Sequence, residues 1–566
     1  MVKQFTTGSI AVLMSFPALA GMIYHWNGPS DADRSGAWEA ASNWVVNGAP
    51  ATSYPGENAT DDHAYFTNGT YTVTLASDKT LAVVERSKKN EDGAAVDYGT
   101  CTLDLNGHTL TASQRIDCSI RTYQFQGGHP GHGSTLVFTN GEVRCDAEVE
   151  TASNGSDNAY ATASGVGIGL PWAGWSDRIR GVLNFRGVTA VFNQVMVNSS
   201  QGGIRIEDGA TFTATGRFTV NGSASKNNGR ALVVRGEGTT FTADHIYCAG
   251  HIGVTNLFEN RSVANIGYLV TGVDQSEQDD GGYYVVHSGA TLNITSQQSN
   301  RAIYCHQSRV ARQHFIATGE GTTVNVTYEG TSKGQPSIGI GSVESSPYQH
   351  TFEVSDGAVF TAGAKSVMLI GSDTGDKMLT VDDATLSVGY LMCGTTYWYK
   401  EDGINKLGLG SNNTVRVSGR RAKLEVKGEG SYSNGASGGE GAMNLNFNAL
   451  LEISVPQEGF AETPIQVTDA KLCTKSPTIS AYADNPGCRM MIHAKDWIKK
   501  HKGEEQPLIS TAQDSTLAFA VMTNHVTFGD IEDETLRPTF RIDKNGTATS
   551  LVLIAPPERG LGIMLK

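Results

Sequence analysis

Proline is scarce in this chain, 16 in 566 residues, and cysteine scarcer still at eight. Past the first twenty residues there is no run of eighteen apolar side chains, so no transmembrane helix is expected in the mature chain. Basic residues are outnumbered, 43 Lys and Arg against 57 Asp and Glu, for a net charge of −14. They are also scattered, whereas a nucleic-acid binder should carry a basic patch; that class is set aside. Eight cysteines over this length are too few for a disulfide framework. Helical periodicity is nearly absent as well. AKDWIKKHKG, 494–503, reads as one short helix closed by Gly503.

What the chain has in quantity is glycine, 66 residues, embedded in a recurring phrase. DGATFTATG at 208–216 returns as SGATLNITS at 288–296, EGTTVNVTY at 320–328 and DDATLSVG at 382–389. After each turn the residues alternate: Ala210, Phe212 and Ala214 on one side, Thr211, Thr213 and Thr215 on the other. A period of two with β-branched residues marks a half-buried strand, and the glycine before it supplies the positive φ of a tight turn.

The spacing selects the architecture. With weaker copies included, the turn positions run 107, 133, 187, 209, 238, 289, 321, 357 and 383. Most steps lie between 22 and 36 residues, and the two longer ones, 54 and 51, read as doubled steps with a degenerate copy between. Propeller blades repeat at about 40–50 residues and immunoglobulin-like sandwiches at about 100. One coil of three short strands fits better. The expected fold is all-β, a right-handed parallel β-helix or β-solenoid.

The two ends differ from the coils. MVKQFTTGSIAVLMSFPALA, 1–20, has Lys3, an apolar stretch from Ile10 to Leu19 and Ala18-Leu19-Ala20, the order of parts in a secretory signal peptide. It predicts a secreted or cell-surface protein. Residues 21–75 hold Trp26, Trp38 and Trp44 and are expected to cap the N-terminal end, where an open solenoid would expose its core. Coils then fill 76–455, and 456–566 reads as a β-rich C-terminal cap.

Trp26-Asn27-Gly28, Asn43-Trp44, Pro50, the stretch through Phe66 and the strand Tyr71 to Leu75 form an opening module. Together with the Gly-Ala-Thr phrases, it resembles secreted bacterial β-helix proteins of the autotransporter-passenger and adhesin type. The resemblance implies architecture and export rather than an activity, since such solenoids include adhesins, surface-structural proteins and polysaccharide-degrading enzymes.

Chemistry is sparse. Gly131-His132-Gly133 and the later Asp-Arg-Ile-Arg at 177–180 echo a β-helix polygalacturonase. The Asn-Thr-Asp that such an enzyme needs occurs nowhere, and the only earlier Asp-Asp pair, Asp61-Asp62, lies in the N-terminal module. Glycoside hydrolysis ordinarily requires a carboxylate pair flanking the bond. Asp274, Glu277, Asp279 and Asp280 offer oxygen ligands for Ca²⁺, with a solvated acidic loop as the plainer account. Two inserts concentrate aromatic residues. One holds Trp172 and Trp175 beside Arg178 and Arg180, the other Tyr397, Trp398 and Tyr399. They are either glycan-binding platforms or covers folded back on the core. If glycan is bound, these inserts rather than the coils are expected to hold it.

Cys473 and Cys488 are the likeliest disulfide pair. Cys118 and Cys145 are about one coil apart, and Cys248, Cys305 and Cys393 are expected to be small buried hydrophobes. The function these features predict is an exported, non-catalytic solenoid of surface-structural or adhesin type that binds extracellular polysaccharide. The alternatives are a polysaccharide lyase or glycoside hydrolase on the same fold, and a scaffold with no ligand.

Overall fold

The structure is a computed structural model. It describes residues 21–30, 33–86, 88–90, 99–118, 120–122, 134–147, 165–168, 179–199, 203–222, 230–249, 255–271, 280–296, 302–305, 312–328, 337–340, 350–371, 376–394, 396–401, 404–409, 412–428, 441–446, 449–470, 472–473 and 488–558.

Each repeat is one coil of three faces. In one coil, Gly203–Glu207 forms the first face, Asp208-Gly209 the turn, and Thr211–Gly222 runs along the second face and round a bend into the third. First-face strands stack into a 16-stranded sheet, and the other two faces merge into a 28-stranded one because strands such as Thr211–Gly222 span both. The coils pair in parallel, so the chain is an all-β parallel β-helix.

The Gly-Ala-Thr phrase is the corner between first and second faces. Two consecutive residues there have positive φ: Asp208 at 56° and Gly209 at 79°, Ser288 at 55° and Gly289 at 76°. That conformation strains β-branched residues and costs glycine nothing. The next residue closes the turn, as when the Ala210 amide donates to the Glu207 carbonyl at 3.1 Å. Ala210, Ala290 and Ala358 are buried there. Where the phrase reads Gly-Thr-Thr, the buried hydroxyl is used: Thr239 accepts from the Gly209 amide one coil below, at 3.0 Å.

The expected register is the observed one. Phe212, Phe241, Ala264, Leu292, Val324, Phe360 and Leu386 form a continuous inward ladder. All are fully buried. Each large apolar side chain so buried is worth about 1.5–3 kcal/mol in removal from water. Thr211, Thr240, Val263, Thr291 and Thr323 form the neighbouring outward row.

Two details of the repeat reading are corrected. The copy placed at 133 belongs to a first-face strand, Thr135–Thr139, and that coil turns at Asn140-Gly141 instead, with Asn140 at φ 55°. The 54-residue step is therefore not doubled: sheet strands pass directly from Glu142–Cys145 to Thr189–Phe192. The 51-residue step is doubled, with the hidden turn at Asn260-Arg261, φ 56° and 61°.

At the N-terminal end Trp26, Trp38 and Trp44 are fully buried. Trp44 meets Trp26 and Trp38 edge-on at 4.9 and 5.1 Å. Every indole N–H is satisfied: Trp26 by the Arg34 carbonyl, Trp38 by that of Pro55 and Trp44 by that of Trp38. Buried indoles need such partners. Arg86, also buried, joins this module to the coils. Its guanidinium donates to the Thr67 and Gly69 carbonyls at 2.9 and 3.0 Å and to the Ser134 hydroxyl at 2.6 Å.

At the other end, Glu505–Thr511 stacks parallel on Ile465–Val467 but antiparallel to Ala548–Ile554, which ends the repeat. The expected helix is present as α1, Lys495–Lys500, and a second, α2, spans Thr516–Asn524. The latter was missed because TLAFAVMTN has no polar face to give a helical period. Ala518, Phe519 and Met522 are buried nonetheless. Cys488, Cys118 and Cys145 are free buried thiols, and the side chain of Cys473, the expected partner of Cys488, lies outside the described residues. Cys393 is buried as expected, while the side chains of Cys248 and Cys305 lie outside the described residues.

Candidate functional site

Most of the site residues expected from the sequence lie outside the described residues: Trp172, Trp175, Arg178, Asp274, Glu277 and Asp279, and also His132. Arg180 belongs to a short strand, Ile179–Arg180, in a three-stranded side sheet with Ile120–Thr122 and Lys88–Asn90. Asp280 opens the first-face strand Asp280–His287. Tyr397, Trp398 and Tyr399 lie in Thr396–Glu401, which forms an antiparallel hairpin with Ile404–Leu409. Among the described residues no group of three His, Cys, Asp or Glu is placed to hold a metal.

Asp62, the second member of the early carboxylate pair, has a structural task. It is buried and accepts from the backbone amides of Met22 at 3.1 Å and Gly56 at 3.0 Å. On the third face, one ladder position mixes polar and apolar residues, and its apolar members Met196, Val270, Leu369 and Met392 are buried. The chain enters the hairpin of Tyr397–Tyr399 two residues after the third-face strand Tyr390–Cys393.

An open groove of about 560 Å³ lies on the regular coils instead, at the concave bend between second and third faces. Four successive coils line it. Thr213, Thr242, Asn265 and Asn293 line it from the second face, Thr215, Asp244 and Gly267 from the bend, and Tyr268 from just beyond the bend. The bend exists because the backbone changes course after the second-face strand. One coil uses Thr215 and Gly216 where the next uses Asp244 alone, a β-bulge. Gly267 is required by close approach, since a Cβ there would fall 2.2 Å from the Asp244 carbonyl oxygen.

Two ladders run parallel to the solenoid axis along this groove. On one side, Asn293 Nδ2 donates to Asn265 Oδ1 and Asn325 Nδ2 donates to Asn293 Oδ1, both at 2.9 Å. On the other, His245 stacks on Tyr268 with centroids 4.7 Å apart and planes 5° from parallel. Their spacing is that of neighbouring strands, so the ring planes lie across the axis and the groove meets ring edges. Asp244 fixes the imidazole, with Oδ2 2.8 Å from His245 Nδ1. One coil earlier, the Arg217 guanidinium lies over the Tyr247 ring at 4.1 Å, a cation–π contact directed at the third face.

Among the described residues that line the groove, Asp244 is the only charged one, beside threonines, asparagines and Tyr268. The groove offers hydroxyl, amide and phenol groups in a periodic array, the chemistry of hydrogen bonding to a polyhydroxylated chain. Sequence reading missed it because the coil carrying Asn265 and Tyr268 turns at Asn260-Arg261 without the Gly-Ala-Thr phrase. With that coil unplaced, Asn265 could not be aligned with Asn293. The signal was the residue two positions after the threonine of each phrase: Thr213, Thr242, Asn293, Asn325. Comparison of the chain with protein-family models, with curated proteins and with solved structures finds no match.

Proposed function

We propose that this protein is an exported, non-catalytic β-solenoid, surface-structural or adhesin-like, whose coil groove binds glycan. The observation that carries the reading is the pairing of the Asn265–Asn293–Asn325 amide ladder with Tyr268 across a groove open to solvent. Amides fixed by their neighbours meet sugar hydroxyls with little loss of side-chain freedom. A binding role is favoured over hydrolysis because Asp244 is the lone carboxylate among the described residues lining the groove, whereas hydrolysis takes two flanking the bond. Export is supported by the first twenty residues, whose order of charge, apolar stretch and Ala-Leu-Ala is that of a signal peptide.

The test is equilibrium binding of the mature protein to a panel of neutral, amino and uronic glycans, run with the paired variant Tyr268→Ala/Asn293→Ala. Both positions face the groove, so the variant should keep its melting temperature and lose binding. A second variant, Trp172→Ala/Trp175→Ala/Trp398→Ala, should bind normally. Loss of binding in the second variant and not in the first would move the site to the inserts. Absence of binding across the panel would reject the reading.

A further inference from the structure

We infer that the ligand of this groove is an uncharged, extended glycan lying along the solenoid axis, one sugar ring to each coil. The inference rests on the glycan-binding reading and adds orientation, register and charge.

Orientation follows from the ladders. Thr213, Thr242, Asn265 and Asn293 occupy one position in four successive coils, so they repeat at the strand spacing of about 4.8 Å. A pyranose ring in an extended chain advances by about the same length, so each ring meets an equivalent side chain. A chain lying across the axis would meet the Asn ladder once and leave the groove. The His245–Tyr268 stack agrees: its ring planes lie across the axis, so a ligand running along the axis passes successive ring edges rather than packing on one face.

Each asparagine in the row keeps hydrogen-bonding capacity. A carboxamide has two N–H groups and two acceptor positions, and the ladder takes one N–H and one lone pair from Asn293. The remaining donor and acceptor suit a hydroxyl, which both donates and accepts. A carboxylate on each ring could take the donor but would leave the acceptor unmatched. It accepts only, no Lys or Arg is among the described residues that line the groove, and Asp244 lines the bend. The groove therefore selects neutral rings over uronates by leaving a carboxylate uncompensated.

Length is the discriminating variable. Four coils line the groove, so affinity should climb with each added ring up to four and then level off. The probes are cello-oligosaccharides and chito-oligosaccharides of two to six rings, with oligogalacturonides of equal length as the anionic control, measured by titration calorimetry on the mature protein. We expect affinity to rise about tenfold or more from two rings to four, little change from four to six, and no measurable binding of the oligogalacturonides. Asn265→Ala and Asn293→Ala should each weaken the four-ring ligand by about fivefold, the loss of one hydrogen bond of about 1 kcal/mol. Two-ring ligands binding as tightly as four, or oligogalacturonides binding as well as neutral chains, would overturn this inference while leaving a glycan-binding groove in place. No binding of any probe, short or long, would overturn both.

Discussion

The backbone amide of Gly289 donates to the hydroxyl of Thr322, one coil further on, at 3.1 Å, and that hydroxyl donates in turn to the Thr318 carbonyl at 2.9 Å. One fully buried side chain thus joins the corner of its own coil to the corner beneath. Thr239 occupies the same place relative to Gly209. The choice between alanine and threonine after the turn glycine is therefore a choice between simple filling and a tie between coils.

Replacing Thr322 by Val keeps the shape and removes the tie. The Gly289 amide then loses its acceptor, at a cost of about 1–3 kcal/mol, whereas Thr322→Ser keeps the hydroxyl and most of the stability. Urea denaturation of the two variants measures the difference. Equal midpoints for Val and Ser would show that the hydroxyl contributes nothing.

The inward and outward rows should respond oppositely to charge. Leu292→Asp puts a carboxylate between Ala264 and Val324 and should cost several kcal/mol. Thr291→Asp, on the outward row, should change stability by only about 0.5 kcal/mol. Thermal melts of the two variants decide it, and similar losses would mean the register is wrong.

Glu39 gives the N-terminal end a dependence on acid. Burial alone would raise its carboxyl value, but hydrogen bonds from the Lys79 ammonium and the Ala76 amide outweigh it, and the net displacement is downward. A carboxyl lowered on folding stabilises above its unfolded value and ceases to do so as pH falls through the folded one. Wild type should therefore be more stable than Glu39→Gln at neutral pH, and the gap should close in acid. Denaturant midpoints measured along a pH series test this; a gap that stays constant would place the effect in packing rather than charge.

The described cysteines should resist thiol reagents until the coils open. Burial pushes Cys101 and Cys488 up to about 12 and Cys118 and Cys145 up to about 11, so almost no thiolate forms at neutral pH. Burial raises the Cys393 thiol as well, and mass spectrometry after labelling should show all five unmodified in native protein and all five modified in denaturant. Native labelling of Cys488, or its recovery in a disulfide, would contradict its place in the interior.

Much of the fold was legible because the Gly-Ala-Thr corner carries both its turn chemistry and its strand period within nine residues. Where a coil lacked that phrase, as at Asn260-Arg261, the turn was made by residues with no glycine and could not be seen. Thr135–Thr139 misled for the opposite reason, since its glycine precedes a first-face strand instead of a corner. The clustering of Trp26, Trp38 and Trp44 in one aromatic group was legible from their closeness along the chain. The groove was not, because it is made by residues such as Asn265 and Asn293, which lie about thirty positions apart and meet only when every intervening insert has been assigned its length.

The shared register of Thr211–Ala214 and Thr240–Ala243 makes the coil a unit of translation. Joining Ala210 directly to Thr240 would recreate the sequence Asp-Gly-Ala-Thr-Phe-Thr-Ala, with every residue of the corner and strand unchanged. The chain could thus shorten or lengthen by whole coils without inventing a new junction. Reach would then vary in increments of about 4.8 Å, the separation of neighbouring strands. A molecule built this way acts as an adjustable ruler, whose span is set by copy number while its two ends stay the same.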